Sequence, residues 1–238
     1  MIDFVPAPAT LPQGQRIYAI GDVHGCLDRL AALHEQIAED LAARPVESSV
    51  LVHLGDYVDR GLDSAQVVDW LSAGAPVPVD RVVNLTGNHE AMMLMALRGT
   101  DKDANSTWLS NGGAESLMSW NISRKIPPAE WAGLIPDEHR AFLRELDVSY
   151  RQGGYMFVHA GIRPGVPLEA QEKHDMIWIR EPFLSSVRDH DAVVVHGHTP
   201  KQEPVVRSNR IGIDTGAVMG GVLTCVVLED DRLGFLRS

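Results

Sequence analysis

"VLVHLGDYVDRG", residues 50–61, is a short apolar run that stops at an acidic turn. Val50 to Leu54 has the length and β-branched content of a buried strand. Gly55 and Gly61 leave the backbone free to turn tightly around Asp56, Asp59 and Arg60. Gly and Asp alone can build a surface turn, so two acids beside an arginine pose a question. They can serve a cation, a phosphate, or nothing.

The same construction recurs on either side. Arg16 to Ile20 reads as a buried strand ending at "GDVHG", followed by Leu27, Leu30, Leu33, Ile37 and Leu41 at helical spacing. A helix from about Ser64 to Ala73 follows the opening stretch, with Val67, Val68 and Leu71 on one side. Arg81 to Leu85 is a third strand, ending at "TGNHE", and Met92, Met93, Leu94, Met95 and Leu97 fill the core from the helix after it. Strand, loop and helix in repetition predict a parallel sheet with crossover helices.

Residues from about Gly99 to Leu146 break the pattern, with Trp108, Trp120 and Trp131 among helical segments, and are read as a helical insertion walling one side of a cleft. Beyond it the strands look antiparallel: Val148 to Arg151, a Gly153–Gly154 turn, Tyr155 to Val158 ending at "HAG", and Ala192 to Val195 ending at "HGHTP". Ile211 and Ile213 precede "DTGA", and Val222 to Leu228 makes a last strand. The expectation is an α/β (α+β) fold of two sheets. Residues 1–15, rich in proline, form an irregular arm, and 16–238 a single domain.

Composition narrows the function. The chain of 238 residues is 45% hydrophobic and 22% charged, ordinary for a globular protein. No apolar run approaches the 18 or so residues of a spanning helix, and the start lacks the pattern of a secretion signal. A cytoplasmic protein without a membrane partner is expected. Formal net charge is −11 with no basic cluster, so nucleic acid is not the expected partner. Cys26 and Cys225 are too few for a disulfide framework and read as small apolar residues. His34, His139, His174 and His190 read as surface residues and His53 as packed.

Every acidic or histidine-bearing motif falls at the carboxyl end of an expected strand, the edge at which α/β sheets bind ligands. Asp22 and His24, two apart, can point the same way and hold one ion. Asp56 can offer one oxygen to that ion and the other to a second, for which Asn88, His159 and His198 supply an amide oxygen and imidazole nitrogens. Such a donor set without thiolate suits Mn, Fe or Zn better than Ca or copper. His196, two residues before His198, is a further candidate for the crevice.

"GDVHG", "GDYVDRG" and "GNHE" in this order resemble the calcineurin-like metallophosphoesterases, in their phosphoprotein phosphatase branch. "VVHGHTP" with "IDTGAVMGG" is similar to the bacterial and phage-type serine/threonine phosphatases, and the match runs from about Arg16 to Leu228. The resemblance implies a β-sandwich of two mixed sheets flanked by helices, with two divalent metal ions, Mn foremost, at one sandwich edge. It implies Asp22, His24 and Asp56 on one metal and Asp56, Asn88, His159 and His198 on the other. It further implies His89 as proton donor, Asp59 as the acid that orients it, and Arg60 and Arg180 as phosphate-gripping arginines. For Arg180 a surface salt bridge is the rival reading. The implied reaction is direct attack on phosphorus by a metal-bridging hydroxide, with a phosphorylated protein or peptide as substrate.

Two alternatives stand beside it. Symmetrical diadenosine tetraphosphate hydrolases share the fold but typically read "GDLVARGP" and "GNHD", so Asp59 is the discriminating residue. A catalytically silent binding module is the other, opposed by the crowding of acids and imidazoles that only a cation would reconcile.

Overall fold

The computed structural model describes residues 2–238; Met1, the first residue of the expected arm, lies outside them. In chain order the first half comprises β1 (Val5–Pro6), β2 (Gln15–Ile20), α1 (Leu27–Ala43), β3 (Ser48–His53), α2 (Ser64–Ser72), β4 (Arg81–Asn84) and α3 (Asn88–Ala96). The stretch that broke the strand pattern holds α4 (Lys102–Trp108), a π-like turn over Leu109–Gly113, α5 (Ala114–Ser119), α6 (Pro128–Leu134) and α7 (Asp137–Glu145). Then come β5 (Ser149–Gln152), β6 (Tyr155–Val158), α8 (Lys173–Trp178), β7 (Val193–His196), β8 (Val205–Val206), β9 (Arg210–Gly212), β10 (Thr224–Glu229) and β11 (Arg232–Arg237).

The strands form two mixed sheets, in the orders β1-β11-β10-β2-β3-β4 and β5-β6-β7-β9-β8. In the first, β2, β3 and β4 are parallel, as the repeated strand, loop and helix require. The second departs from the antiparallel expectation. Only its edge pairs, β5 with β6 and β8 with β9, are antiparallel, whereas β6, β7 and β9 run parallel. The crossover segments are long enough to return the chain to the same end of the sheet, so parallel pairing is open to it.

Side-chain alternation divides the core. Ile17 and Ala19 of β2 and Val50 and Val52 of β3 face Phe157, Val195 and Ile211 between the sheets. Their neighbours Tyr18, Ile20 and Leu51 face the helices, against Leu30, Leu33 and Val67. Strands buried on both faces read as unbroken apolar runs, which is why their positions were visible in the sequence. A third layer, Met176, Ile179 and Phe183, covers the outer face of β6 and β7. Cys225 is buried and Cys26 packs partly buried on the helical layer.

The N-terminal segment is more ordered than an irregular arm. Val5 and Pro6 pair with Leu233 and Arg232 of β11, and Thr10 accepts from the Gly154 N–H of the other sheet. Of the insertion's tryptophans, Trp108 and Trp131 are fully buried and pack edge to face, out of reach of a substrate, while Trp120 is partly buried. Met95, expected in the core, is half exposed. His34, His139 and His190 are buried, against expectation, because each finds polar partners for its ring, and only His174 is exposed. Among the described residues, no helix is long and apolar enough to cross a membrane.

Candidate active site

The carboxyl ends of β2, β3, β4, β6 and β7 lie at one edge of the two sheets, and the loops leaving them carry the motif residues. The backbone there is unusual. His24, Asp56, Asp59, Arg60 and His198 all have positive φ, between 43° and 73°, a conformation non-glycine residues adopt only where the surroundings impose it. At Asp56 the constraint comes from Glu90. Its buried carboxylate accepts from the N–H groups of Asp56 (2.8 Å), Tyr57 (2.7 Å), Val58 (3.2 Å) and Gly87 (2.8 Å), tying the turn after β3 to the start of α3. Gly87 lets the loops approach, because a Cβ there would collide with the Asp56 carboxylate.

Two groups of donor atoms converge, His24 with Asp56 and His89, and Asp56 with His159 and His198. Asp56 belongs to both. Its Oδ2 is 3.4 Å from Nε2 of His24 and 3.4 Å from Nε2 of His159, and its Oδ1 accepts from the His89 N–H at 3.0 Å. His24 donates its Nδ1–H to the Val58 carbonyl (2.8 Å) and His159 to the Leu54 carbonyl (2.9 Å), so both turn Nε2 inward. Asn88 Oδ1 stands 3.0 Å from His159 Nε2. Asp22 accepts from the His198 N–H at 3.1 Å and, across from it, Asp214 presents a second buried carboxylate.

The electrostatics call for a cation. Burial, followed by the proximity of Asp214, pushes Asp22 well above the usual carboxylate range. Burial would also raise Asp56, but His159 and His89 outweigh it and hold it well below. Burial lowers His159 in turn, but Asp56, Asp22 and Glu90 together raise it, to about 10. Burial takes His24 and His198 the other way, to about 3, so both rings are neutral at ordinary pH. The His198 Nε2 is buried with no hydrogen-bond partner. Carboxylate, amide and imidazole donors, with one buried ring nitrogen unmet, fit a pair of hard-to-borderline divalent ions.

Beside these groups lies a buried acid–imidazole pair. Asp59, fully buried, has Oδ2 2.7 Å from His89 Nδ1, and burial and the two acids have opposite effects on His89, whose pKa the acids raise. The other side of Asp59 is held by Trp108 Nε1 (2.9 Å) and Ser116 Oγ (2.7 Å), both from the insertion. Neither these two residues nor Glu90 and Asp214 were singled out by the sequence. Only the "E" of "GNHE" and the "D" of "IDTGA" stood within a recognised motif. Arg60 is exposed and lays NH1 2.8 Å from His24 Nε2. Arg180 is exposed too, and near enough for its charge to lower the pKa of His198. His196 lies outside both donor groups: its Nδ1–H donates to the Gly197 carbonyl at 3.0 Å.

A cation-binding crevice of aspartates and histidines at the edge of a two-sheet sandwich, rimmed by arginines, defines a metal-dependent phosphoesterase. Residues 15–220 match the calcineurin-like phosphoesterases, and the chain belongs to that family. It is 27% identical to serine/threonine-protein phosphatase 1 of Salmonella typhimurium, over 90% of this chain and 93% of that one. It is also 27% identical to an asymmetrical bis(5'-nucleosyl)-tetraphosphatase, PrpE, of Anoxybacillus flavithermus, over 87% and 88%. A solved structure described as a putative diadenosine tetraphosphatase superposes with a TM-score of 0.67 at 23% identity, covering 97% of this chain and 98% of that one.

Proposed function

We propose that this metallophosphoesterase is a dinuclear phosphomonoesterase that dephosphorylates phosphoserine, phosphothreonine or phosphotyrosine in proteins. The observation that carries the reading is the Asp59–His89 pair, 2.7 Å apart and buried beside Asp56. Asp22, His24 and Asp56 would hold one divalent ion and Asp56, Asn88, His159 and His198 the other, with Mn as the first choice and Fe or Zn as alternatives. Such ions, when bound, supply Lewis acidity toward the phosphoryl oxygens and make water a nucleophile at neutral pH. The chain does the rest. Arg60 and Arg180, planar forks at the rim, grip the phosphoryl oxygens. His89, its Nδ1 fixed by Asp59, gives the proton at Nε2 to the departing serine, threonine or tyrosine oxygen.

The leaving-group side favours a polypeptide. Arg60 opens onto a groove of about 620 Å³ with Ser110 and Asn111 along it and Arg124 and Glu115 across it. Mixed charge and backbone-like polar groups suit a peptide better than a chain of phosphates, which needs concentrated positive charge. The second reading, a dinucleoside polyphosphate hydrolase, draws on relatives that carry that name. Steady-state kinetics on phosphopeptides and on diadenosine tetraphosphate separate the two. The expected result is a higher kcat/KM on phosphopeptides; the reverse order would replace this proposal by the second.

A further inference from the structure

Behind the catalytic edge, a pocket of about 370 Å³ opens between β8, β9 and the segment that follows α8. Arg210 forms its base. The residue is only 6% exposed, yet no carboxylate lies within ion-pairing distance of it among the described residues. Its NH2 donates to the Leu184 carbonyl at 3.1 Å and its NH1 to His196 Nε2 at 3.3 Å, while Nε–H is buried with no partner. The Thr199 hydroxyl, on the same pocket, is also buried without a partner. Lys201 and Arg207 add two exposed cations.

Buried arginines elsewhere in this protein are matched. Arg16, equally buried, sits against Glu229 at 2.9 Å and Asp40 at 3.3 Å, and its pKa is raised. Burial and neighbouring Arg207 instead lower that of Arg210, against a smaller opposite effect of Glu181. A guanidinium taken out of water without an acid is costly, and an anion in the pocket would offset that cost. The two acids on the wall do not ion-pair with Arg210 and each accepts a hydrogen bond from elsewhere. Glu181 Oε2 accepts from the Ser185 hydroxyl at 2.6 Å, and Asp214 Oδ1 from the Gly216 N–H at 3.0 Å.

We infer that this pocket is a second oxyanion site, distinct from the catalytic crevice, in which Arg210, Thr199, Lys201 and Arg207 bind a phosphate-sized tetrahedral dianion. Donors from four side chains ask for more acceptor oxygens than one carboxylate offers. His196 joins the two sites: it accepts from Arg210 on one side and donates to Gly197 on the other, and Gly197 packs directly on Asp22. An anion that fixes Arg210 therefore also fixes the backbone on which Asp22 and His198 rest.

Nitrogen-15 NMR of the zinc-loaded full chain, titrated with inorganic phosphate, tests the site. The amides of Lys201 and of residues 207–212 should shift saturably, apart from any shifts at Gly61 and Asn88. In the surface variant K201A/R207A, which leaves the buried residues in place, saturation at the second site should need about tenfold more phosphate or beyond, the worth of one charge-assisted hydrogen bond. The shifts at Gly61 and Asn88 should be unchanged, and sulfate should act like phosphate. No saturable shift at residues 207–212, or the same saturation in K201A/R207A, would overturn the inference. An equal response to acetate would overturn the assignment to a tetrahedral dianion.

Discussion

Asp59 Oδ2 meets His89 Nδ1 at 2.7 Å, joining the turn after β3 to the first turn of α3. The contact leaves His89 Nε2 4.0 Å from Oδ2 of Asp56, the residue common to both donor groups. If that nitrogen delivers a proton, His89→Asn should keep its bound metal and slow alkyl-phosphate turnover by roughly 10²–10⁴-fold. An ester of a strongly acidic phenol, which departs without help, should lose much less. Equal losses on the two substrates would remove His89 from the acid role.

The insertion acts on the same pair through Trp108 and Ser116, each donating to Asp59. Trp108→Phe and Ser116→Ala keep most of the packing; each deletes the hydrogen bonding of its side chain to a charged acceptor, worth about 1.5–3 kcal/mol, and Ser116→Ala also removes an acceptor of the Asp59 N–H (2.8 Å). Each variant should lower kcat by about tenfold or more, with KM little changed and alkyl esters affected more than activated aryl esters. A loss seen in KM alone would mean that the insertion contacts substrate rather than orienting Asp59.

β2 and β3 were legible as parallel strands because they are buried on both faces and read as apolar runs closed by glycine, whereas the parallel pairing of β6, β7 and β9 was not. β11, "RLGFLR", was not, since its charged ends and central Gly234 hide the alternation that pairing with β10 reveals. The motif residues announced themselves by type and by position at strand ends. Glu90, Trp108 and Ser116 did not, because a glutamate that accepts four N–H groups and an indole aimed at a carboxylate are defined by partners up to 57 residues away. The buried histidines were misjudged for the same reason: a ring that finds hydrogen-bond partners is no burden to a core.

Metal binding and folding should separate at Asp56 and Glu90. Asp56→Asn weakens the one residue shared by both donor groups, so elemental analysis should find well under the wild-type metal content with an unchanged circular dichroism spectrum. Glu90→Gln replaces one of two accepting oxygens by an amide donor facing N–H groups, and should destabilise the fold by a few kcal/mol, about 1–3 for each donor left unsatisfied. A Glu90→Gln protein with a wild-type urea midpoint would deny the carboxylate its role in holding the two loops.

Acid should act first on a chain of rings beneath the sheet. Trp70 Nε1 donates to His34 Nδ1 (3.0 Å), His34 Nε2–H to His53 Nε2 (2.9 Å), and His53 Nδ1–H to Asn84 Oδ1 (2.8 Å), which fixes both tautomers as neutral. Burial lowers His34 to about 4 and His53 to about 3, the latter with help from His34. The unfolded chain takes up these protons first, below its ordinary histidine pKa of about 6.5. Stability from these groups is therefore complete above that value and declines as pH falls toward 4 and 3. Urea midpoints measured across this window should fall less steeply in His53→Gln, whose amide offers a donor and an acceptor but does not titrate. Parallel slopes would show that the rings are protonated in the fold.

Arg60 is placed by its backbone as much as by its charge. Its φ is 70°, and its N–H donates to the Gly112 carbonyl at 3.1 Å, so the π-like turn of the insertion braces it from behind. Gly112 itself has φ of 105°, and a Cβ there would stand 2.6 Å from Arg60 N and 2.7 Å from its Cγ. Gly112→Ala should therefore push Arg60 off the phosphoryl group without touching a donor atom of either cation group. Turnover should fall toward that of Arg60→Ala, a loss of about 10²-fold or more if the guanidinium stabilises the transition state. Arg60→Lys should recover only part of it, since a point charge lacks the planar fork. Arg180→Ala gives the comparison at the other rim: a similar loss assigns it to the phosphate, and wild-type kinetics return it to the surface. Metal content should remain at the wild-type level in all four variants. A Gly112→Ala enzyme with normal turnover would show that Arg60 needs no bracing from the insertion.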